Sequence, residues 1–200
     1  IIMKNIEDDN AQSLRDFNKN ASSGLFAYYR NLDTAFTKET DPKNSLITSK
    51  AISLCEKWIQ RRCTDVIGGR DVLQKRSISD DCFEILLRTL IFASRADGKI
   101  DKDEHNSIIS VLKKFAKEED MYGIVDTMLT EDLDVRKISS KILFKEEAVD
   151  AYFIAAMILQ GDNFMERHFL ELFAATLEIT PSLQKKIEID ALKFVNSSQF

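Results

Sequence analysis

Glycine and proline are scarce in this sequence, at 6 and 2 of 200 residues. An all-β sandwich or barrel needs turn-forming residues at each of its many short connections, and so few of them cannot serve that purpose. Their scarcity favours helices joined by polar turns. Apolar residues make up 44% of the chain and charged residues 30%, which is typical of a globular protein and excludes a disordered one. We therefore expect an all-α fold.

The sequence also lacks a long hydrophobic run and a cysteine framework. Its longest apolar run, residues 151–159, has nine residues, whereas a membrane-spanning helix needs about 20. No basic segment followed by an apolar stretch opens the chain, so a secretory signal is not expected. The three cysteines, at positions 55, 63 and 82, form no C-x-x-C pair, which fits free thiols in a reducing compartment. The predicted location is the cytoplasm, with membrane association only peripheral or through a partner.

Charge is divided unevenly along the chain. Residues 1–78 hold 13 basic and 10 acidic side chains, a balance of +3, whereas residues 79–200 hold 15 and 23, a balance of −8. The basic excess peaks in the segment 57–76, at Lys57, Arg61, Arg62, Arg70, Lys75 and Arg76. Acidic residues are interleaved there and a single tryptophan lies nearby, which is a weak pattern for nucleic acid. We expect a solvated surface, or one that faces the acidic half of the chain, and nucleic acid is not an expected partner.

Apolar spacing predicts two helices in the N-terminal part. The first ends at Asp41-Pro42 and carries on one face Leu25, Tyr28, Leu32 and Phe36. The second begins near Ser45 and ends at Gly68-Gly69, and one of its sides holds Ile47, Ala51, Leu54, Cys55, Trp58 and Arg62. With residues 68–79 as the candidate linker, the predicted domains are a helical N-terminal extension of unknown role, residues 1–78, and a helical domain, residues 79–200.

Two pseudo-repeated units follow in the C-terminal part. Each has an apolar helix, a short polar turn, and a second helix opened by a capping residue with a glutamate three positions later. These capping pairs are Asp101 with Glu104 and Asn163 with Glu166. The fold class is therefore an all-α helical bundle with two pseudo-repeated helix–turn–helix units plus an N-terminal helical extension.

The remaining elements complete the C-terminal bundle. The apolar helices of the two units are predicted at about residues 79–96 and 148–159, and a Thr-Pro pair at 180–181 begins the last helix. Because these helices carry a complete set of apolar stripes, residues 79–196 are expected to fold without the N-terminal part.

The turn of the first unit resembles a known family. The run Ala93-Ser-Arg-Ala-Asp-Gly-Lys-Ile-Asp-Lys-Asp-Glu104 resembles the signature turn of TerB, the tellurite-resistance-associated family. Residues 151–177, with Gln160-Gly-Asp-Asn-Phe-Met-Glu-Arg-His-Phe-Leu170 at their centre, resemble the second half of its YebE-like branch, whose members are often predicted membrane proteins. The resemblance covers residues 79–196. It implies a roughly symmetric helical bundle, acidic residues near both turns that hold a metal ion, and a scaffold or sensor in chemical stress.

The acidic turns can be tested as a metal site. Asp97, Asp101 and Glu104 match later positions of an EF-hand loop, but Ala93 and Arg95 stand where its first two oxygen ligands belong. A tight EF-hand site is therefore not expected. A weaker site for Ca²⁺ or Mg²⁺, shared by both turns, collects Asp97, Asp101, Glu104, Asp162 and Glu166. Helix capping beside a glycine turn explains the capping residues without a ligand, and we favour it while leaving both interpretations open.

No catalytic apparatus is recognisable in the sequence. His105 and His168 lack the H-E-x-x-H spacing of a zinc site, so surface histidines are expected. The expected function is a non-enzymatic interaction or stress-response module with a protein partner. The alternatives are a metal-dependent enzyme that uses the acidic turns, and a binder of nucleic acid or anionic lipid through the basic segment 57–76.

Overall fold

The computed structural model describes residues 42–65, 72–96, 98, 100, 108, 111, 112, 114, 125 and 127–197. Within these ranges most residues are helical and none lies in a strand, which confirms the all-α class. The helix predicted to end at Asp41 lies outside the described residues, as do Asp97, Asp101 and Glu104 of the first acidic turn.

Six helices have both ends inside the described residues. They are α1 (Pro42–Asp65), α2 (Val72–Ser94), α3 (Arg136–Ser139), α4 (Lys145–Ile158), α5 (Phe164–Thr176) and α6 (Pro181–Asn196). Further helical residues occur between 108 and 114 and between 125 and 130. The short helix α3 has four residues, of which Ile138 is buried.

Capping residues define several of these helix ends. Thr180 and Pro181 take the N-cap and N1 positions of α6, as their order predicts, and the Thr180 hydroxyl accepts a hydrogen bond from Leu183 N at 3.4 Å. Proline also begins α1, at Pro42, where its missing N–H costs no intrahelical hydrogen bond. The prediction of a start near Ser45 was therefore one turn late.

Helix α4 forms the centre of the bundle. It packs against α1, α2, α5 and α6, and α1 also contacts α2 and α6. One contiguous buried cluster takes side chains from all five of these helices. The apolar stripe predicted for α1 is buried throughout, including Trp58 and Arg62, and α4 is the buried core helix that its apolar run predicts.

The position of α1 bears on the domain organisation. Residues 42–65 lie in the same core as residues from 79 to 195, and α2 runs without a break across position 78. The linker predicted over residues 68–79 is therefore wrong from residue 72 onward, since the helix already begins at Val72. Independent folding of residues 79–196 stays a prediction.

None of the helices in the described part of the chain combines the length and the apolar character needed to cross a membrane.

Candidate functional site

The turn of the second unit is held by its own capping residues. Asn163 is the N-cap of α5, and its side-chain oxygen accepts a hydrogen bond from Glu166 N at 2.9 Å. The Glu166 carboxylate in turn accepts hydrogen bonds from Gly161 N at 3.0 Å, Asp162 N at 3.3 Å and Asn163 Nδ2 at 2.7 Å. This reciprocal arrangement is the capping that the sequence predicts, with the glutamate reaching one and two residues further back than in the usual capping box.

These contacts show whether Asp162 and Glu166, the two described residues of the predicted metal site, have carboxylate oxygens left for an ion. Both oxygens of Glu166 already accept hydrogen bonds from the turn, so Asp162 alone brings a carboxylate that the cap does not use. One such carboxylate does not make a protein cage for Ca²⁺, which takes six to eight oxygen ligands, and Mg²⁺ held by it would take most of its six ligands from water. The described residues contain no group of three or more metal-ligating side chains. A shared site therefore depends on Asp97, Asp101 and Glu104 and stays a prediction.

Arg95 has a structural role beside the first turn. Its guanidinium donates a hydrogen bond from Nη1 to the carbonyl oxygen of Met128 at 2.9 Å, which lies near the end of a helical segment that extends to Thr130. A cation at that end satisfies a free carbonyl and interacts favourably with the helix dipole. Gly98 follows with a φ of 88°, which glycine adopts without strain. The arginine that breaks the EF-hand pattern thus joins two helical segments.

A polar cluster joins α4, α5 and α6. The Glu188 carboxylate accepts hydrogen bonds from Tyr152 Oη at 2.6 Å, Arg167 Nη2 at 2.9 Å and Gln184 Nε2 at 3.2 Å. Burial by itself raises the pKa of Glu188, but these three donors together lower it below its usual value. Burial and the hydrogen bond to Glu188 raise the pKa of Tyr152. A tyrosine whose pKa is raised is a poor proton donor and nucleophile at neutral pH, so the cluster holds three helices together without activating a group.

A buried ion pair connects α1 with the N-terminus of α4. Arg62 and Glu147 are 3% and 0% exposed, and the guanidinium donates from Nε to Oε1 at 2.8 Å and from Nη2 to Oε2 at 2.7 Å. Arg62 Nη2 also donates to the carbonyl oxygen of Lys141 at 2.8 Å. Oε2 of Glu147 accepts the backbone N–H groups of Leu143 at 2.9 Å and Phe144 at 3.4 Å. This bidentate pair therefore satisfies the buried charges and also caps α4.

The basic segment 57–76 is partly used inside the molecule. Arg62 lies in the buried pair, and Arg61 Nη1 is 3.3 Å from Oε2 of Glu146. Both acidic partners belong to α4 in the acidic half of the chain. Of the six basic residues in this segment, the side chains of Arg70, Lys75 and Arg76 lie outside the described residues. That nucleic acid is not a partner stays a prediction.

The two buried cysteines are not activated thiols. Cys55 and Cys82 are fully buried. Burial, more than any neighbouring charge, raises the pKa of Cys55 and raises that of Cys82 to about 12. A thiol must lose its proton to act as a nucleophile or a metal ligand, so both are structural.

The side of α5 that points away from the core is apolar and exposed. Phe164, Met165 and Leu172 are 79%, 55% and 45% exposed. His168 lies between them, exposed as expected, and stacks on Phe164 with ring centroids 6.1 Å apart. Because residues four apart share one side of a helix, positions 164, 168 and 172 form a continuous stripe. We call Phe164, Met165, His168 and Leu172 the α5 face.

Sequence periodicity identified the other side of α5 but did not identify the α5 face. The residues at helical spacing on that side, Phe169, Leu170, Phe173, Ala174 and Leu177, are buried. The available signal was the presence of three further large apolar residues that do not fit this stripe. A helix with large apolar residues on two opposite sides has more apolar surface than one core contact can cover.

The described residues define an all-α helical bundle with a capped turn in its second unit. The chain belongs to the family described as protein of unknown function (DUF533), which matches residues 19–191. It is 27% identical over 111 residues to an uncharacterized protein in the ampR 5′ region of Yersinia enterocolitica, and the match covers 56% of this chain and 80% of that relative. No solved structure matches the chain.

Proposed function

We propose that this protein is a non-enzymatic interaction module and that the α5 face binds its protein partner. The observation that carries the proposal is the exposed stripe on α5, in which the large apolar side chains of Phe164, Met165 and Leu172 flank His168. Isolated exposed apolar residues are common on protein surfaces, but contiguous apolar patches are typical of binding sites. Association would remove this surface from water and gain free energy in proportion to the apolar area buried.

The chemistry of the buried polar groups supports a non-enzymatic role. Cys55, Cys82 and Tyr152 all have a raised pKa, which is the opposite of what an activated nucleophile needs. The carboxylates of Glu147 and Glu188 are engaged by arginines in structural contacts. These groups stabilise the bundle, and their structural use supports a function exerted at the surface.

Affinity purification from the native cell tests the proposal. Tagged full-length wild type is compared with a Phe164→Ser, Leu172→Ser double variant and with the control Leu143→Ser, whose side chain is 68% exposed outside the α5 face. We expect the same protein to copurify with wild type and with the control, and to be lost from the double variant. Equal recovery with all three, each shown to be folded by circular dichroism, would exclude the α5 face as the binding surface.

We further propose that the chain belongs to the YebE-like branch and acts in a chemical stress response. The support is the resemblance of residues 93–104 and 151–177 to TerB proteins and the TerB-like character of the family. Cells that lack the protein should grow less well on tellurite. Wild type should restore growth, whereas the double variant on the α5 face should not. Unchanged growth of the deleted strain on tellurite and on other chemical stresses would contradict this role.

A further inference from the structure

The exposed charged residues on α5 and at its two ends are all acidic. The exposed acidic residues Asp162, Glu171 and Glu178 lie before, along and after α5. Between positions 162 and 178 the only lysine or arginine is Arg167, and its guanidinium is paired with Glu188 of α6 at 2.9 Å. We call Asp162, Glu171 and Glu178 the acidic rim of the α5 face. The one arginine of α5 is already paired with Glu188.

The dimensions of the α5 face suit a helix. From position 164 to position 172 the stripe extends about 12 Å along the axis of α5, at 1.5 Å per residue. This is about two turns, and a second helix laid against it presents its own apolar side chains at the same spacing. Basic residues on the edges of such a helix would meet the acidic rim, which favours that partner and accelerates its association.

We infer that the α5 face binds an amphipathic helix of another protein, one whose apolar stripe is edged by lysine or arginine. The inference rests on the proposed function and specifies the chemistry of the partner. Two other occupants are disfavoured by the same charges. A two-fold dimer through this face would bring copies of the Glu171 rim together, and an anionic membrane surface would repel it.

Two model peptides test the inference with the full-length protein. Both form amphipathic helices with the same leucine stripe, and one is edged with lysine while the other is edged with glutamate. Fluorescence anisotropy gives the affinity of each peptide. We expect the lysine peptide to bind about tenfold or more tightly than the glutamate peptide at low salt, as three weak ion pairs together can provide. The difference should decrease as added salt screens the rim.

Matched variants separate the contribution of the acidic rim from that of the apolar side chains. Glu171→Lys should reduce the preference for the lysine peptide several-fold, whereas Asp190→Lys, the same charge change at an exposed position on α6, should leave it unchanged. Phe164→Ser with Leu172→Ser should abolish binding of both peptides, and Leu143→Ser should not.

The outcomes distinguish failure of the inference from failure of the proposed function. If the α5 variants abolish binding but the two peptides bind equally well, the face is an interaction surface and the basic partner is wrong. If those variants change neither affinity, the proposed surface itself is wrong. Self-association in sedimentation equilibrium, or binding to phosphatidylglycerol vesicles, that depends on Phe164 would replace the helix with a second copy or a membrane and overturn the inference.

Discussion

At the scale of single residues, the contact between Arg62 and Glu147 shows how a costly arrangement becomes a stable one. Removing two charges from water costs several kcal/mol per ion, and only good geometry with further hydrogen bonds compensates for it. Here the guanidinium and the carboxylate form two hydrogen bonds with each other, and each also bonds to the backbone before α4. Burial on its own lowers the pKa of Arg62, but pairing with Glu147 raises it above its ordinary value. The Arg62 guanidinium therefore keeps its charge beside Glu147 inside the bundle.

We predict that Arg62→Met destabilises the protein by about 3–5 kcal/mol, because Glu147 would be left buried without its partner. The double variant Arg62→Met, Glu147→Gln should lose less than the sum of the two single variants, since it removes the unpaired charge. Arg61→Met is the matched control, because its partner Glu146 is 65% exposed. This variant should lose only about 0–1 kcal/mol of unfolding free energy. Urea unfolding measures the stability of the four variants and of wild type. Additive losses in the double variant would show that Arg62 and Glu147 do not interact.

Asp150 allows a prediction about pH. Burial raises the pKa of this carboxyl, although the hydrogen bond from Trp58 Nε1 at 3.0 Å and nearby Lys57 and Arg61 oppose the shift. An acid with a raised pKa in the folded state lowers stability above that pKa, and the penalty disappears as pH falls below its unfolded value of about 3.9. We predict that Asp150→Asn, which keeps an acceptor for Trp58, is more stable than wild type at pH 7 and equally stable at pH 3.

The control for this prediction is an aspartate whose pKa shifts in the opposite direction. Asp134, hydrogen-bonded to Arg136 at 2.9 Å, has a lowered pKa, so its contribution is favourable at neutral pH and is lost on acidification. Asp134→Asn should therefore not be more stable than wild type at pH 7. Unfolding curves across this pH range check both variants, and an Asp150→Asn protein that is less stable at pH 7 would contradict the assignment.

At the scale of elements, helix periodicity predicted most of what the structure shows. The buried side of α1 is the one that the spacing indicated, and Asn163 and Thr180 cap the helices they were expected to cap. The start of α2 was missed because Ser79 and the acidic residues after it resemble a helix N-terminus, although here they continue an existing helix. Local capping signals do not reveal whether the preceding turn is already helical.

Apolar spacing in the sequence could not predict contacts between helices that are distant along the chain. Arg62 and Glu147 are 85 positions apart, and in the sequence each has a local explanation, as one of a basic cluster and as an acid in a first helical turn. The hint was the placement of Arg62 on the apolar side of its helix, since a charge there needs a buried partner. Periodicity predicts that such a partner exists but not which residue it is.

The two interpretations of the acidic turns predict different responses to metal. Under capping, Glu166→Ala and Glu104→Ala each lose about 0.5–2 kcal/mol of stability, with or without added ion, because the lost contacts are to backbone N–H groups. Under the shared site, Ca²⁺ or Mg²⁺ binds with a Kd of about 10⁻⁴ M or weaker, and Asp97→Ala or Asp162→Ala weakens it further. Thermal unfolding and calorimetric titration decide between them: no heat with either ion, together with metal-independent destabilisation, removes the metal hypothesis.

At the scale of the whole molecule, α1 is part of the core that the C-terminal helices build. Its Trp58 is 1% exposed and donates a hydrogen bond to Asp150 of α4, and its Arg62 neutralises the Glu147 carboxylate. A segment that starts at residue 79 keeps the stripes of the later helices but loses these partners. Residues 42–65 therefore cover part of the core that the later helices build.

We predict that residues 79–196 alone form helices but unfold at a markedly lower urea concentration than the full chain. The physical reason is that the segment exposes the side of the core that α1 covers and leaves Glu147 unpaired. Adding a peptide of residues 42–65 should raise the unfolding midpoint, whereas the same peptide with Arg62→Met should raise it less. Equal midpoints for the segment and the full chain would show that residues 79–196 are an independent domain.

The central claim is that a protein partner occupies the α5 face, and site-specific photo-crosslinking in the native cell tests it most directly. A photoreactive amino acid replaces Leu172 on the α5 face, Gln60 on the exposed side of the basic segment, or Leu143 as an exposed apolar control. We predict a discrete protein adduct from position 172 that is absent from positions 60 and 143. An adduct from position 60 with none from position 172, or no adduct from position 172 under any growth condition, would contradict the account.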